Sequence, residues 1–245
     1  MENSWTAEEM MTIAAARQFR DRATSFVGVG APSLAACLAR ALHAPEMVLV
    51  FESGAIGAKP TIAPLSIADS ELAETADFLV SVPEVFHYWL RGGRIKTAVL
   101  GTAQIDRFGN LNTTVVGSYA NPKVRLPGAG GAPEIASNAG EVLVIVRQTP
   151  KAFVSKLDFL TTAAERMQLS AVITDLGVLK PHRETRELTL VSRHPNAGIE
   201  EIIAATGWPL QIADNVEETS APTGLELSTL RDIEERTRIA HQKLA

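Results

Sequence analysis

The chain has 245 residues, 46% of them apolar and 21% charged, enough to bury a sizeable core in the manner of a soluble globular protein. Its net charge is −5 and it has no basic run, which argues against nucleic acid as a partner. The single cysteine, Cys37, excludes an internal disulfide framework and suits a reducing cytoplasm.

Met1-Glu2-Asn3-Ser4-Trp5 is polar and acidic, so neither a signal peptide nor a membrane span is expected. Thr6-Ala7-Glu8-Glu9 has the form of a capping box, opening a helix through Met10, Ile13, Ala14 and Phe19. Ser25–Gly30 reads as a strand entering a glycine turn, with a helix from Pro32-Ser33 to about His43-Ala44-Pro45. Cys37 lies in the apolar run of that helix, as a core residue and not a nucleophile. The Gly28-x-Gly30 turn at a helix start can hold an anion on backbone N–H groups, although it is not a full dinucleotide fingerprint.

Val48-Leu49-Val50-Phe51 reads as a buried strand that gives out at Glu52-Ser53-Gly54. In an open α/β sheet that is the carboxyl end, where ligands collect. A carboxylate there serves chemistry, a turn cap or a lysine partner, and position alone does not choose. Gly57–Pro64 is punctuated by prolines and is expected to be a loop lying over the strand ends. Short helices are expected at Ser70–Glu74 and Val85–Leu90, the second stopped by Gly92-Gly93. His87, lone among aromatics, reads as packing rather than catalysis.

Thr97–Asp106 predicts one strand, turned back by Arg107–Asn112 into an extended Thr113–Val116. Three glycines in Gly128-Ala129-Gly130-Gly131, ahead of a helical Ile135-Ala136-Ser137, are either an oxyanion cradle or a surface turn. Glu141–Val146 is a buried strand, and Lys151–Phe159 is expected to be extended. Ala171–Leu179 and Leu188–Val191 are expected to pair antiparallel around Lys180-Pro181. A helix at Glu200–Ile203 follows, and Leu225–Ala240 predicts an amphipathic helix over the sheet. No repeat or linker interrupts the chain, so one open α/β domain over residues 1–245 is expected, with a mixed, mostly parallel sheet flanked by helices.

Three segments in this order carry a resemblance: Glu52-Ser53-Gly54 after its apolar strand, Gly101–Asn112, and Pro122-Lys123-Val124-Arg125-Leu126-Pro127-Gly128-Ala129-Gly130-Gly131-Ala132. Together they resemble the β subunit of family I coenzyme A transferases over nearly the whole chain. Glu-Ser-Gly at the glutamate is similar to the glutaconate CoA-transferase branch. Gly54–Pro60 and Glu71–Asp77 look closest to 3-oxoadipate CoA-transferase β subunits of aromatic catabolism.

The resemblance implies that Glu52 is a nucleophile forming an acyl anhydride and then a glutamyl-CoA thioester, in moving CoA from succinyl-CoA to a 3-oxo dicarboxylic acid. It also implies that the N–H groups of Gly130 and Gly131 steady the oxyanion, with Gln104 as a weaker second donor. Ser53, Gly54, Gly28 and Gly30 are the neighbouring substrate-binding candidates. A dicarboxylate needs a cation, for which Lys59, Arg107, Lys123 and Arg125 are the candidates. Coenzyme A enters as substrate, with no tightly bound cofactor or metal, and an α subunit is the expected partner in a cytoplasmic heterodimer or heterotetramer. Thr161–Ser170 departs from the pattern, being shorter than the glycine-rich insertion of close relatives, which bears on the acceptor acid. The alternatives are a glutaconate-type transferase with another acid, an acyl-CoA hydrolase or ring-opening enzyme on the same scaffold, and a non-catalytic partner subunit.

Overall fold

The computed structural model describes residues 4–242, so Met1–Asn3, part of the terminus on which the absence of a leader was read, lie outside the described residues. The chain divides into two compact units. One runs up to Gly101 and takes in the C-terminal stretch from Ala221; the other is Thr102–Ser220.

In the first unit Thr6 caps helix Ala7–Ala16 as its sequence predicts. The Glu9 N–H donates to Thr6 Oγ1 at 3.1 Å and the Thr6 N–H to Glu9 Oε2 at 2.7 Å. The helix stops before Phe19, which is buried beyond its end. Five strands follow: β1 (Thr24–Val27), β2 (Val48–Val50), β3 (Ala55–Ala58), β4 (Phe78–Leu79) and β5 (Thr97–Gly101). Their order is β5-β1-β2-β3-β4. β1 runs parallel to β2 and β5, while β3 and β4 add antiparallel strands on one side. Ser25, Phe26 and Val27 of β1 and Leu49 and Val50 of β2 are all buried, the continuous run a parallel sheet covered on both faces requires.

β3 corrects the expectation that Gly57–Pro64 is irregular throughout, because Gly57 and Ala58 belong to a strand. The hairpin register sets Ala58 opposite Leu49, so the chain leaves β3 toward the end where β2 begins. The loop therefore does not lie over the carboxyl strand ends. Instead Thr237 Oγ1 accepts the Ala63 N–H at 3.0 Å and Arg236 donates to the Thr61 carbonyl at 2.8 Å.

Helix Ala31–Leu42 buries Ala35, Ala36, Cys37, Leu38 and Ala39, and its small residues let neighbouring helices come close. Helix Gly224–Gln242 packs on this helix and on Ala7–Ala16 through Leu227, Leu230 and Ile233, not directly on the sheet as expected. Burying each such leucine or isoleucine contributes about 1.5–3 kcal/mol. The short helix Ser70–Glu74 is present. Val85–Leu90 forms a π-helical turn ahead of Gly92-Gly93, and on it His87 is exposed, not packed.

The second unit opens with two hairpins, β6 (Gln104–Ile105) with β7 (Leu111–Asn112) and β8 (Val115–Gly117) with β9 (Pro122–Arg125). The single strand expected over Thr97–Asp106 is thus broken at Thr102-Ala103. The unit's larger sheet has the order β14-β13-β12-β11-β10, from β10 (Glu141–Ile145), β11 (Leu169–Ile173), β12 (Gly177–Pro181), β13 (Leu188–Arg193) and β14 (Gln211–Glu218). β10 and β11 are parallel, as are β13 and β14, and β12 runs antiparallel to both neighbours.

Two expectations change here. Lys180-Pro181 ends β12 instead of forming the turn, because Ala171–Leu179 is itself a hairpin closed by Thr174, whose hydroxyl accepts the Leu176 and Gly177 N–H groups. Lys151–Phe159 is not a strand; only a single bridge, Ile105 to Phe153, is extended pairing. Helices Ala132–Asn138 and Ile199–Ala204 lie where the sequence places them. The architecture is the expected open α/β fold with mixed sheet and flanking helices.

Candidate functional site

In the first unit, Phe26 lies beside Val50 and Val27 beside Val99, so β1, β2 and β5 end together. Gly28 and Gly30 after β1, Glu52 after β2, and Gly101 at the end of β5 therefore share one sheet edge. This is the carboxyl edge anticipated for Glu52. A tight turn holds the glutamate: the Gly54 N–H donates to the Phe51 carbonyl at 3.0 Å and the Phe51 N–H to the Ala55 carbonyl at 3.1 Å. Glu52 and Ser53 are half-buried, whereas Phe51 is fully buried and anchors the turn.

Gly54 is the residue this turn cannot replace. Its φ is 104°, and a Cβ there would lie 1.9 Å from the Val80 carbonyl oxygen. The Val80 N–H in turn donates to the Gly54 carbonyl at 3.0 Å. Helix Ala31–Leu42 begins at the same edge with Gly30 at its cap, and no side chain caps that end. Its N-terminal amides and dipole make the edge favourable for a negative charge.

Lys59 does not belong to this edge. It follows β3 at the opposite end of the hairpin and forms an ion pair with Asp77, so it is withdrawn as a substrate cation. Cys37 is 4% exposed, and burial pushes its thiol up to about 12, so it stays protonated and inert.

In the second unit, Gln104 and Asn112 face each other across the first hairpin. Asn112 Nδ2 donates to Gln104 Oε1 at 2.7 Å and to the Val115 carbonyl at 2.7 Å. Gln104 Nε2 donates to Asp158 Oδ2 at 2.9 Å, and the Asp158 N–H returns to Gln104 Oε1 at 3.2 Å. The Gly117 N–H also donates to Asp158 Oδ2, at 2.9 Å. Gln104 is 5% exposed, and its carboxamide is committed to holding β6, β7, β8 and the Asp158 segment together. That corrects its expected role as an oxyanion donor. The Gly117 N–H first, then Gln104 and the nearby Lys123, holds the Asp158 carboxyl below its ordinary value against a small opposing effect of burial.

The glycine-rich run is anchored at its base. Thr113 Oγ1 donates to the Gly128 carbonyl at 2.8 Å, and the Gly128 N–H donates to the Thr113 carbonyl at 2.9 Å. Positive φ at Gly128 (103°) and Gly130 (47°) then turns the chain into Gly131, the cap of helix Ala132–Asn138. Gly130 is exposed and Gly131 buried.

Arg107 stacks on Phe108 and pairs with Glu187 at 3.7 Å, which ties the first hairpin to the β12–β13 turn and removes it as an unpaired cation. Arg125 lies over Tyr119, its guanidinium 4.9 Å from the ring centre. Among the described residues no cluster of three or more His, Cys, Asp or Glu is arranged to hold a metal ion, and no helix is long and apolar enough to cross a membrane.

The coenzyme A transferase family pattern matches residues 8–205. This chain belongs to the coenzyme A transferase family. It is 52% identical to the β-type subunit of 3-oxoadipate CoA-transferase from Pseudomonas knackmussii, over 98% of this chain and 97% of that protein. The crystal structure of glutaconate coenzyme A-transferase from Acidaminococcus fermentans superposes with a TM-score of 0.86 at 26% identity, over 94% of this chain and 95% of that one. The decarboxylase AibA/AibB superposes with a TM-score of 0.84 at 27% identity, over 95% of this chain and 96% of that one. The last comparison shows that the scaffold also carries a reaction other than CoA transfer, so the side chain at the tip of β2 has to be argued for itself. In this transferase chain it is Glu52.

Proposed function

We propose that the chain is the β subunit of a CoA-transferase that moves CoA from succinyl-CoA to 3-oxoadipate. The observation that carries the reading is a half-buried glutamate on a rigid turn at the carboxyl edge of three parallel strands, beside an uncapped helix N-terminus. The 52% identity to a 3-oxoadipate CoA-transferase subunit, over almost the full length of both chains, supports the choice of acids.

In this reading a Glu52 carboxylate oxygen attacks the thioester carbonyl of succinyl-CoA. The tetrahedral adduct collapses, CoA leaves as thiolate, and a mixed anhydride of Glu52 and succinate remains. The thiolate then attacks the Glu52 carbonyl, releasing succinate and leaving a glutamyl-CoA thioester. The acceptor carboxylate repeats the sequence in reverse and departs as its CoA ester, restoring Glu52. A carboxylate nucleophile suits the exchange because its anhydride is reactive enough for the thiolate to cleave.

The oxyanion of each tetrahedral adduct is assigned, on the family resemblance, to the amides of Gly130 and Gly131. Losing one such donor costs on the order of 3 kcal/mol of barrier. Ser53, Gly54, Gly28 and Gly30 frame the approach to Glu52. Coenzyme A is the substrate carrier rather than a resident cofactor.

An α subunit of the same enzyme class is the inferred partner, since the relative is named as one subunit of its enzyme and the decarboxylase as a two-part AibA/AibB. Co-purification with the α chain, followed by borohydride reduction in the presence of succinyl-CoA, tests both points. The reading requires a stable modification confined to Glu52. A complex that turns over normally with Glu52→Ala overturns it.

A further inference from the structure

The β8–β9 hairpin carries a feature that the acyl-exchange chemistry does not use. Its tip presents Tyr119, 58% exposed, with its ring stacked on Phe159 at 5.4 Å between centres and 25° between planes. Arg125, returning along β9, lies over the Tyr119 ring at 4.9 Å and donates from Nη2 to the Tyr119 carbonyl at 3.3 Å. The guanidinium is therefore held flat by a ring and a carbonyl, and no carboxylate pairs with it among the described residues. Lys123 lies two positions earlier on β9, so strand alternation puts it on the same face as Arg125. Both are exposed, as is Lys156 three residues before Phe159. The carboxylate in this cluster, Asp158, is occupied by the Gly117 N–H and Gln104 Nε2.

A planar cation fixed on an aromatic pair, with one or two further cations beside it, suits a ligand that is both flat and multiply anionic. The guanidinium plane accepts a stacked heterocycle, and its remaining N–H groups, with the lysines, suit phosphate oxygens. A small dicarboxylate has no use for the stacking surface. Resting on the reading that acyl-CoA is the substrate, we infer that Arg125, Tyr119, Phe159 and Lys123 form a subsite for the adenosine phosphate end of coenzyme A. Arg125 and Lys123 are thereby moved from the acceptor's distal carboxylate, their expected role, to the nucleotide.

The test uses the complete heteromeric enzyme and adenosine 3′,5′-bisphosphate as probe, with binding read by calorimetry. Arg125→Ala is expected to weaken binding about tenfold or more, the loss of one charge-assisted contact. Lys123→Ala is expected to weaken it less, and Arg125→Lys to recover only part, because a lysine keeps the charge without the plane. The preference for succinyl-CoA over the truncated succinyl-pantetheine thioester is expected to fall in proportion. Inorganic pyrophosphate is expected to bind more weakly than the nucleotide. Nucleotide binding indifferent to Arg125→Ala overturns the assignment, as does a change confined to the KM of the acceptor acid or pyrophosphate binding as tight as the nucleotide's. Exchange activity of the same wild-type preparation is recorded separately. Its absence overturns the transferase reading, whereas normal exchange with Arg125-independent nucleotide binding overturns only the subsite.

Discussion

Arg17 and Glu226 are joined by two parallel hydrogen bonds, Nε to Oε1 at 2.7 Å and Nη2 to Oε2 at 2.8 Å, across 209 positions of sequence. The pair pins the start of the C-terminal helix to the end of the first. Glu226 also accepts the Thr223 N–H at 2.7 Å, so one carboxylate serves as both cap and tether. Burial alone would raise its pKa, but Arg17, with the Thr223 N–H and hydroxyl, outweighs burial and holds it at about 2 against an ordinary 4.5. Because the folded-state pKa is depressed, the stabilisation is fully present above pH 4.5 and is lost as pH falls through 2. Glu226→Gln is expected to cost about 2 kcal/mol at pH 7 and to flatten the loss of stability between those two values. Urea melts across that pH range check it, and parallel acid profiles for variant and wild type would contradict it.

Glu52→Gln retains the turn but not the nucleophile. CoA exchange is expected to fall by on the order of 10⁴-fold or more, the scale seen when a covalent catalyst is removed, with thermal stability little changed. A succinyl-CoA exchange assay beside a melting curve separates chemistry from folding.

At Gly54 the same turn is sensitive to a single methyl group. Gly54→Ala drives a Cβ against the Val80 carbonyl at a φ of 104°, so both backbone segments must shift. The expected destabilisation is about 2–4 kcal/mol. Glu52, two residues away, moves with the turn, so kcat falls as well. Calorimetry with steady-state kinetics reads both, and an unchanged Tm would show the contact to be relieved some other way.

Gln104→Ala leaves Asn112 Nδ2 and the Asp158 N–H without their acceptor. It is expected to cost about 1–3 kcal/mol and to speed amide exchange at Gly117 and Asp158. Hydrogen exchange localises the effect. Loss of turnover with full protection retained would restore Gln104 to the chemistry.

Cys37 is expected to resist iodoacetamide in the folded protein and to react stoichiometrically in guanidinium, since burial holds the thiol at about 12. Mass spectrometry of the alkylated protein decides it.

Signals confined to a few neighbouring residues were legible in the sequence. The Thr6–Glu9 box, the apolar run ending at Glu52 and the glycines before Ala132 depend on local backbone preference and hydrophobic run length, and the structure places them as read. Acyl transfer through Glu52 was likewise anticipated, but through resemblance, because a strand-end carboxylate alone is compatible with several roles. What the sequence could not contain is partnership over distance. Gln104 meets Asp158 over 54 positions and Arg17 meets Glu226 over 209, and no local spacing encodes either contact. Lys59 read as an available cation until folding paired it with Asp77 at the wrong end of the hairpin. β14, Gln211–Glu218, was missed because a half-exposed edge strand of mixed polarity carries no alternation to read. Local chemistry chose the elements; only the packing of distant segments decided which polar groups were consumed in holding the fold and which were left to meet a ligand.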